Sequence, residues 1–153
     1  MAKNGFSMSN RTSVRTISTA EATLTADDCG KIIILDRAAG SQVQLPSSPT
    51  VAGAGWNVTV IVKTSVTSNA YSIDGTASAD FFIGGIASIS SAGAKSDLFI
   101  PNGSSHNSIQ MNGTTKGGLK GTRITFISDG TQWHINGTLA CSGTPLDPFD
   151  AIV

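Results

Sequence analysis

The stretch Gly121–Gly137, GTRITFISDGTQWHING, decides the fold class. Asp129-Gly130 is the dipeptide of a two-residue hairpin turn, and alternating apolar and polar residues flank it on both sides. A two-residue loop there sets Phe126 opposite Trp133 and Ile124 opposite Ile135. The four side chains then share one face, because period 2 keeps i and i+2 together. The other face takes Arg123, Thr125, Gln132, His134 and Asn136, with Ile127 its one large apolar member. One face is made for a core and the other for water.

The rest of the chain repeats that pattern. Its 153 residues suit one domain with a sizeable core. Charged residues make up 13%, about half the usual share, and Gly, Ser and Thr are abundant. Such a composition offers little material for helices, so an all-β chain with many turns is expected. The formal net charge is zero, which gives no general pull toward nucleic acid or an anionic membrane. The charge is nevertheless uneven. Lys3, Arg11 and Arg15 precede the first acidic residue, Glu21, whereas Asp147 and Asp150 sit near the end. These read either as arms that meet partners of opposite charge or as two solvated ends. The N-terminus lacks an apolar run before its first polar residues, so no secretory signal is expected, and no apolar run approaches membrane-spanning length.

In chain order, residues 1–19 are polar with a few apolar anchors and read as an N-terminal arm; alternatively, Val14–Ile17 forms a first edge strand. Residues 20–140 read as the β domain and 141–153 as a C-terminal tail. Ile32–Leu35 is a short buried strand closed by Asp36, and Ser41–Leu45 a strand stopped by Pro46. Ser47–Gly55 reads as a small-residue loop. Trp56–Lys63 is the longest regular strand, with Trp56, Val58, Val60 and Val62 on its apolar side. Ile61 falls on the polar side, as Ile127 does in the hairpin, which points to a covered outer surface. Tyr71 and Ile73 form a brief strand. Gly84-Gly85 splits the apolar residues that follow, and Leu98–Ile100 is closed by Pro101-Asn102-Gly103. In the tail, Leu146, Phe149, Ile152 and Val153 need burial on the domain itself or on a neighbour.

Catalytic chemistry finds no footing. His106 and His134 are far apart, and the two-residue turn would set His134 against Thr125, which gives no proton relay. Asp27-Asp28 reads as a turn or cap. No calcium loop, phosphate loop or nucleophile elbow occurs, so neither metal nor cofactor is expected and the chain reads as a non-enzyme. Cys29 and Cys141 make neither a disulfide framework nor a metal set and read as free buried thiols, although they could pair. Trp56 and Trp133 stand in register with apolar faces and read as core rather than as a sugar-stacking surface.

Three segments, Thr25–Pro46, Gly55–Gly75 and Gly121–Gly137, together resemble the β-rich structural proteins of tailed bacteriophages. The shared features are a strand pair ending at Leu-Pro, a strand ending in Val-Lys-Thr, a Tyr-x-Ile strand and a Ser-Asp-Gly-Thr-x-Trp hairpin. The chain is most similar to capsid decoration (cement) proteins and, second, to tail-fibre modules. The resemblance covers about half the chain, and residues 76–120 have no counterpart in it.

This resemblance implies an antiparallel β-sandwich or jelly-roll-like domain, a homotrimer on the outer capsid surface of a virion, with the major capsid protein as partner. Arg11, Val14, Arg15 and Ile17 would then belong to a capsid-contacting arm. Ile61 and Ile127, with Leu146 and Phe149 of the tail, are candidates for an intersubunit surface. A receptor- or glycan-binding module of a tail fibre is the alternative and calls for a solvent-accessible tryptophan. A host-derived carbohydrate-binding domain is a third reading.

Overall fold

The computed structural model describes residues 12–93 and 95–152. Arg11 and the rest of the arm before Thr12 lie outside the described residues. Six strands come first: β1 (Val14–Ile17), β2 (Glu21–Thr23), β3 (Ile32–Leu35), β4 (Gln42–Gln44), β5 (Asn57–Val62) and β6 (Tyr71–Asp74). They alternate between two sheets, and within each sheet every new strand lies parallel to the one before it. The first half of the chain is therefore wound as a short two-sheet coil. Its crossovers are loops, apart from a single 3-10 turn at Ala26–Asp28 and one helical turn, α1 (Pro49–Ala52), in the expected loop. Ser48 starts α1 by accepting a hydrogen bond from Val51 N–H at 3.1 Å.

The second half supplies β7 (Phe82–Ser90), β8 (Ser96–Phe99), β9 (Ser108–Met111), β10 (Arg123–Ser128), β11 (Trp133–Cys141) and β12 (Phe149–Asp150). One sheet has seven strands in the order β1-β3-β5-β10-β11-β7-β8, and the other has five, β12-β9-β6-β4-β2. The chain is thus an all-β, two-sheet sandwich. Its pairing is mixed: the hairpin β10–β11 docks antiparallel on β5, whereas β7 runs parallel to β11. Wholly antiparallel pairing was the expectation, and the coil of the first half departs from it.

The hairpin departs from its expected register in an instructive way. Its loop has four residues, so Ser128 faces Trp133, Phe126 faces Ile135 and Ile124 faces Gly137. The cause is local. Asp129 Oδ1 accepts hydrogen bonds from Thr131 and Gln132 N–H, both at 2.7 Å, and Ser128 Oγ accepts one from Gly130 N–H. These side-chain bonds stabilise a wider turn than the two-residue one. A shift of two residues keeps every side chain on its face. Ile124, Phe126, Trp133 and Ile135 are accordingly all buried, as the pattern required.

The core lies between the sheets. Trp56 meets Trp133 edge to face with ring centroids 5.4 Å apart, and Phe82 meets Phe126 in the same manner at 5.8 Å. Such pairs add about 0.5–1.5 kcal/mol each beyond their buried area. Tyr71 ties two crossovers to the core, its hydroxyl accepting from Arg37 N–H and donating to the Thr64 carbonyl, each at 2.9 Å.

Gly84 and Gly85 do not split β7 but lie inside it. Gly84 holds φ +114°, and a Cβ there would stand 2.1 Å from the Ile135 carbonyl oxygen. Glycine at this position is what lets β7 and β11 close on each other.

The first and last described strands are both built into the sandwich. Val14–Ile17 is an edge strand whose Ile17 is buried, and β12 of the tail pairs with β9 of its own domain. Phe149 is buried and stacks on the His106 ring at 5.8 Å.

Candidate functional site

The two outer faces of the sandwich are chemically unlike. Across the five-stranded sheet the outward positions are Glu21 and Thr23, Gln42 and Gln44, Ser72 and Asp74, Ser108 and Gln110, and Asp150. None is apolar. At the centre, Asp74 is 2% exposed and accepts hydrogen bonds from Gln42 (2.8 Å), Ser72 (3.0 Å) and Ser108 (2.5 Å). Gln110 in turn donates to Ser108 at 2.9 Å. The side chains at its centre bond one another, and the remaining polar groups are suited to water.

The seven-stranded sheet turns a different face outward. One cross-sheet row runs Thr16, Ile34, Ile61, Arg123, Thr138, Ala87, Leu98, and a second runs Val14, Ile32, Thr59, Thr125, Asn136, Gly85. A third holds Asn57, Ile127, His134 and Ile83. Seven large apolar side chains among the described residues are well exposed, and five of them (Val14, Ile89, Leu98, Ile100 and Ile127) stand on this face. Leu98 is 81% exposed and Ile100 75%. Between them and β11 the backbones of Gly84, Gly85 and Gly137 floor a trough of about 520 Å³. Ile61 and Ile127 thus have apolar neighbours on this face, Val14, Ile32 and Ile34 toward one edge and Ile83, Ile89 and Leu98 toward the other, with Arg123, Thr125, Asn136 and Thr138 between them.

The other predicted contact residues are placed differently. Ile17 and Phe149 are core residues of this domain and present no surface to a partner, because β1 and β12 pair within the sandwich. Val14 is half exposed on the outer face, and Leu146, also half exposed, stands on the tail. Arg15 is engaged within the chain: its guanidinium bonds the buried Asp28 carboxylate at 2.5 Å, and Lys31 bonds the other oxygen at 3.0 Å. Asp28 also accepts a hydrogen bond from Thr25 N–H at 3.0 Å, capping the 3-10 turn. Burial pushes the Asp28 carboxyl up, but the Thr25 bond, Lys31 and Arg15 outweigh it and hold it below the ordinary aspartate range. The Asp27-Asp28 pair is therefore divided, one residue exposed and the other a cap and an anchor for the first strand.

The observed register sets His134 opposite Ile127 instead of Thr125, and its ring bonds Asp129 at 2.8 Å. Bonds from Gln132 N–H, His134 and Thr131 N–H bring the Asp129 carboxyl down to about 2. Both groups are exposed, so the contact belongs to the loop surface. Cys29 and Cys141 are both free; Cys141 is buried as expected, whereas Cys29 is exposed in the turn after Asp28. Trp56 and Trp133 are 3% and 0% exposed, so the accessible tryptophan that a glycan-stacking surface needs is not offered by either. Among the described residues no group of three or more His, Cys, Asp or Glu side chains is placed to hold a metal ion. Compared with protein-family models, with curated proteins and with solved structures, the chain matches none.

Sequence reasoning found this face only at Ile61 and Ile127 and missed its extent. Its signal was present in Ile32–Leu35, an unbroken apolar run where a half-solvated strand would alternate. The residues of β7 and β8 carried no comparable pattern.

Proposed function

We propose that this protein is a non-enzymatic structural component of a bacteriophage virion, bound to the outside of the icosahedral capsid and stabilising the shell by bridging capsid subunits. The observation that carries the reading is the contrast between the two sheet faces. A protein fixed in an assembly needs one face suited to protein and one suited to water, and this sandwich has both. The resemblance to decoration proteins adds to this. Its three segments supply β3, β4, β5, β6, β10 and the start of β11, which are neighbours at the centre of the sandwich. The unmatched residues 76–120 supply β7 and β8 at the sheet edge, together with β9. The mechanism is mass action: interface buried only in the assembled shell stabilises that shell against its open states.

In this reading the arm's share of the capsid contact falls to residues 1–11, with Lys3 and Arg11, because Arg15 already serves Asp28. The test is a truncation lacking residues 1–11, which spares β1. Its tryptophan emission and melting should match the full chain while its occupancy of purified capsids is lost. A folded truncated protein that still saturates capsids contradicts the assignment.

A further inference from the structure

We propose that a hollow on the five-stranded sheet binds a single sugar ring that carries a carboxylate, such as a hexuronate. The inference stands apart from the capsid reading, because this hollow lies on the polar face. It has a volume of about 210 Å³, and its lining includes Arg37, Gln42, Asn69, Ser72 and Gln110. At about 30 Å³ for each water, that is the space of about seven waters, the room of one six-membered ring. The walls are preformed. Arg37 N–H donates to the Tyr71 hydroxyl and Ser72 N–H to the Ser41 carbonyl, each at 2.9 Å. A Cβ at Gly40 would stand 2.2 Å from the Ala70 carbonyl oxygen, so the two crossovers are closed on each other. A site built in advance has less ordering to bear when a ligand enters.

The direction of the hydrogen bonds decides the class of ligand. A carboxylate only accepts, so Asp74 orients the groups around it. Ser108 spends its one hydroxyl proton on Asp74, and Gln110 must therefore meet Ser108 with its amide nitrogen, at 2.9 Å. Gln42 likewise turns its amide nitrogen to Asp74 at 2.8 Å, and Asn69 donates to the Ala39 carbonyl at 3.1 Å. Each of the three carboxamides is held by its nitrogen, and its oxygen has no hydrogen-bond partner among the described residues. Three fixed acceptors suit a ligand with several hydroxyl donors, which takes the place of water there. Arg37 supplies the opposite chemistry. One of its guanidinium N–H groups meets the Gly40 carbonyl, and no carboxylate pairs with it among the described residues. A planar cation with spare donors matches a carboxylate. None of the lining side chains is aromatic, so the ring is held by its hydroxyls and its charge and not by stacking.

The experiment is an NMR titration of the isotope-labelled full chain with sodium glucuronate to tens of millimolar. Glucose serves as the neutral counterpart and sodium acetate as the ring-free one. Saturable shifts should gather on the amides of Gly40, Gln42, Ala70 and Ser72, with a Kd of about 1 mM for a ligand of this size. Glucose and acetate should each bind about tenfold more weakly or less. Arg37→Gln should remove the preference for glucuronate over glucose, and Gln110→Met should weaken both sugars. Gln44→Met, on the same sheet but outside the hollow, should change neither. A wild type without saturable shifts overturns the proposal. Glucose binding as tightly as glucuronate overturns it too, as does an Arg37→Gln protein that keeps the preference. None of these outcomes depends on capsid occupancy, which is measured separately with residues 1–11.

Discussion

Adjacent glycines in β7 should respond in opposite ways to the same substitution. At Gly84 an alanine Cβ would lie 2.1 Å from the Ile135 carbonyl oxygen, with the Ile135 carbonyl carbon and amide nitrogen also inside 3.3 Å. All three atoms are backbone of the neighbouring strand, so no side chain can swing aside; β11 must retreat by more than an ångström. The φ of +114° adds strain that a Cβ does not tolerate. Taking about 1–3 kcal/mol for the backbone conformation and about 1–3 kcal/mol for overpacking, Gly84→Ala should cost about 4 kcal/mol. At Gly85 the nearest atoms to a new Cβ are Phe99 O at 3.5 Å and Ile100 Cγ1 at 3.8 Å, which is ordinary contact. Its φ is unexceptional, and the lower entropy of the unfolded chain makes Gly85→Ala neutral or stabilising by up to about 1 kcal/mol.

Urea unfolding followed by tryptophan emission reads the difference directly, since Trp133 sits in β11 against the disturbed strand and is buried. With a slope of about 2 kcal/mol per molar urea, Gly84→Ala should lower the midpoint by about 2 M while Gly85→Ala leaves it in place or raises it slightly. Equal midpoints for the two variants would refute the close approach of β7 and β11. So would a Gly84→Ala protein as stable as the wild type.

Three further outcomes follow from the same geometry. Asp28→Ala removes the cap on Thr25 and the shared partner of Arg15 and Lys31, and should cost about 2–3 kcal/mol, roughly 5–10 °C in Tm. Because the folded Asp28 carboxyl is held low, that contribution is complete above the ordinary aspartate value of 3.8 and fades as pH falls below it, so wild type and variant should converge in acid; a Tm gap that persists undiminished at low pH contradicts the ion pair. Acrylamide or iodide should quench the native tryptophan emission weakly and the unfolded emission strongly; strong quenching of the native protein would speak for an exposed, ligand-stacking tryptophan. A thiol reagent should modify Cys29 at once and Cys141 only on unfolding; a single fast phase of two equivalents contradicts the buried position of Cys141.

What could be read from the residues follows the physics of each element. The core set of the hairpin was legible because strand periodicity fixes the face of Ile124, Phe126, Trp133 and Ile135 whatever the register. The register itself was not, since Asp129 and Ser128 choose the turn through hydrogen bonds that pattern alone does not rank. The parallel coil of β1–β6 was hidden because its crossovers are loops and not the helices that usually announce parallel strands. Gly84-Gly85 looked like a break because glycine weakens a strand; at Gly84 a neighbouring carbonyl requires it. The arm was half legible. Arg15 and Ile17 share its polar stretch but are held by Asp28 and the core, and only the fold could show that.

The central claim, a structural protein of the outer shell, is tested most directly by counting copies of this chain per major capsid subunit in the purified particle that carries it. Quantitative mass spectrometry against labelled peptides of both proteins suffices. The account predicts hundreds of copies in a fixed ratio to the shell subunit. A dozen or fewer would move the protein to the tail, and none at all would remove it from the virion; either result contradicts the claim.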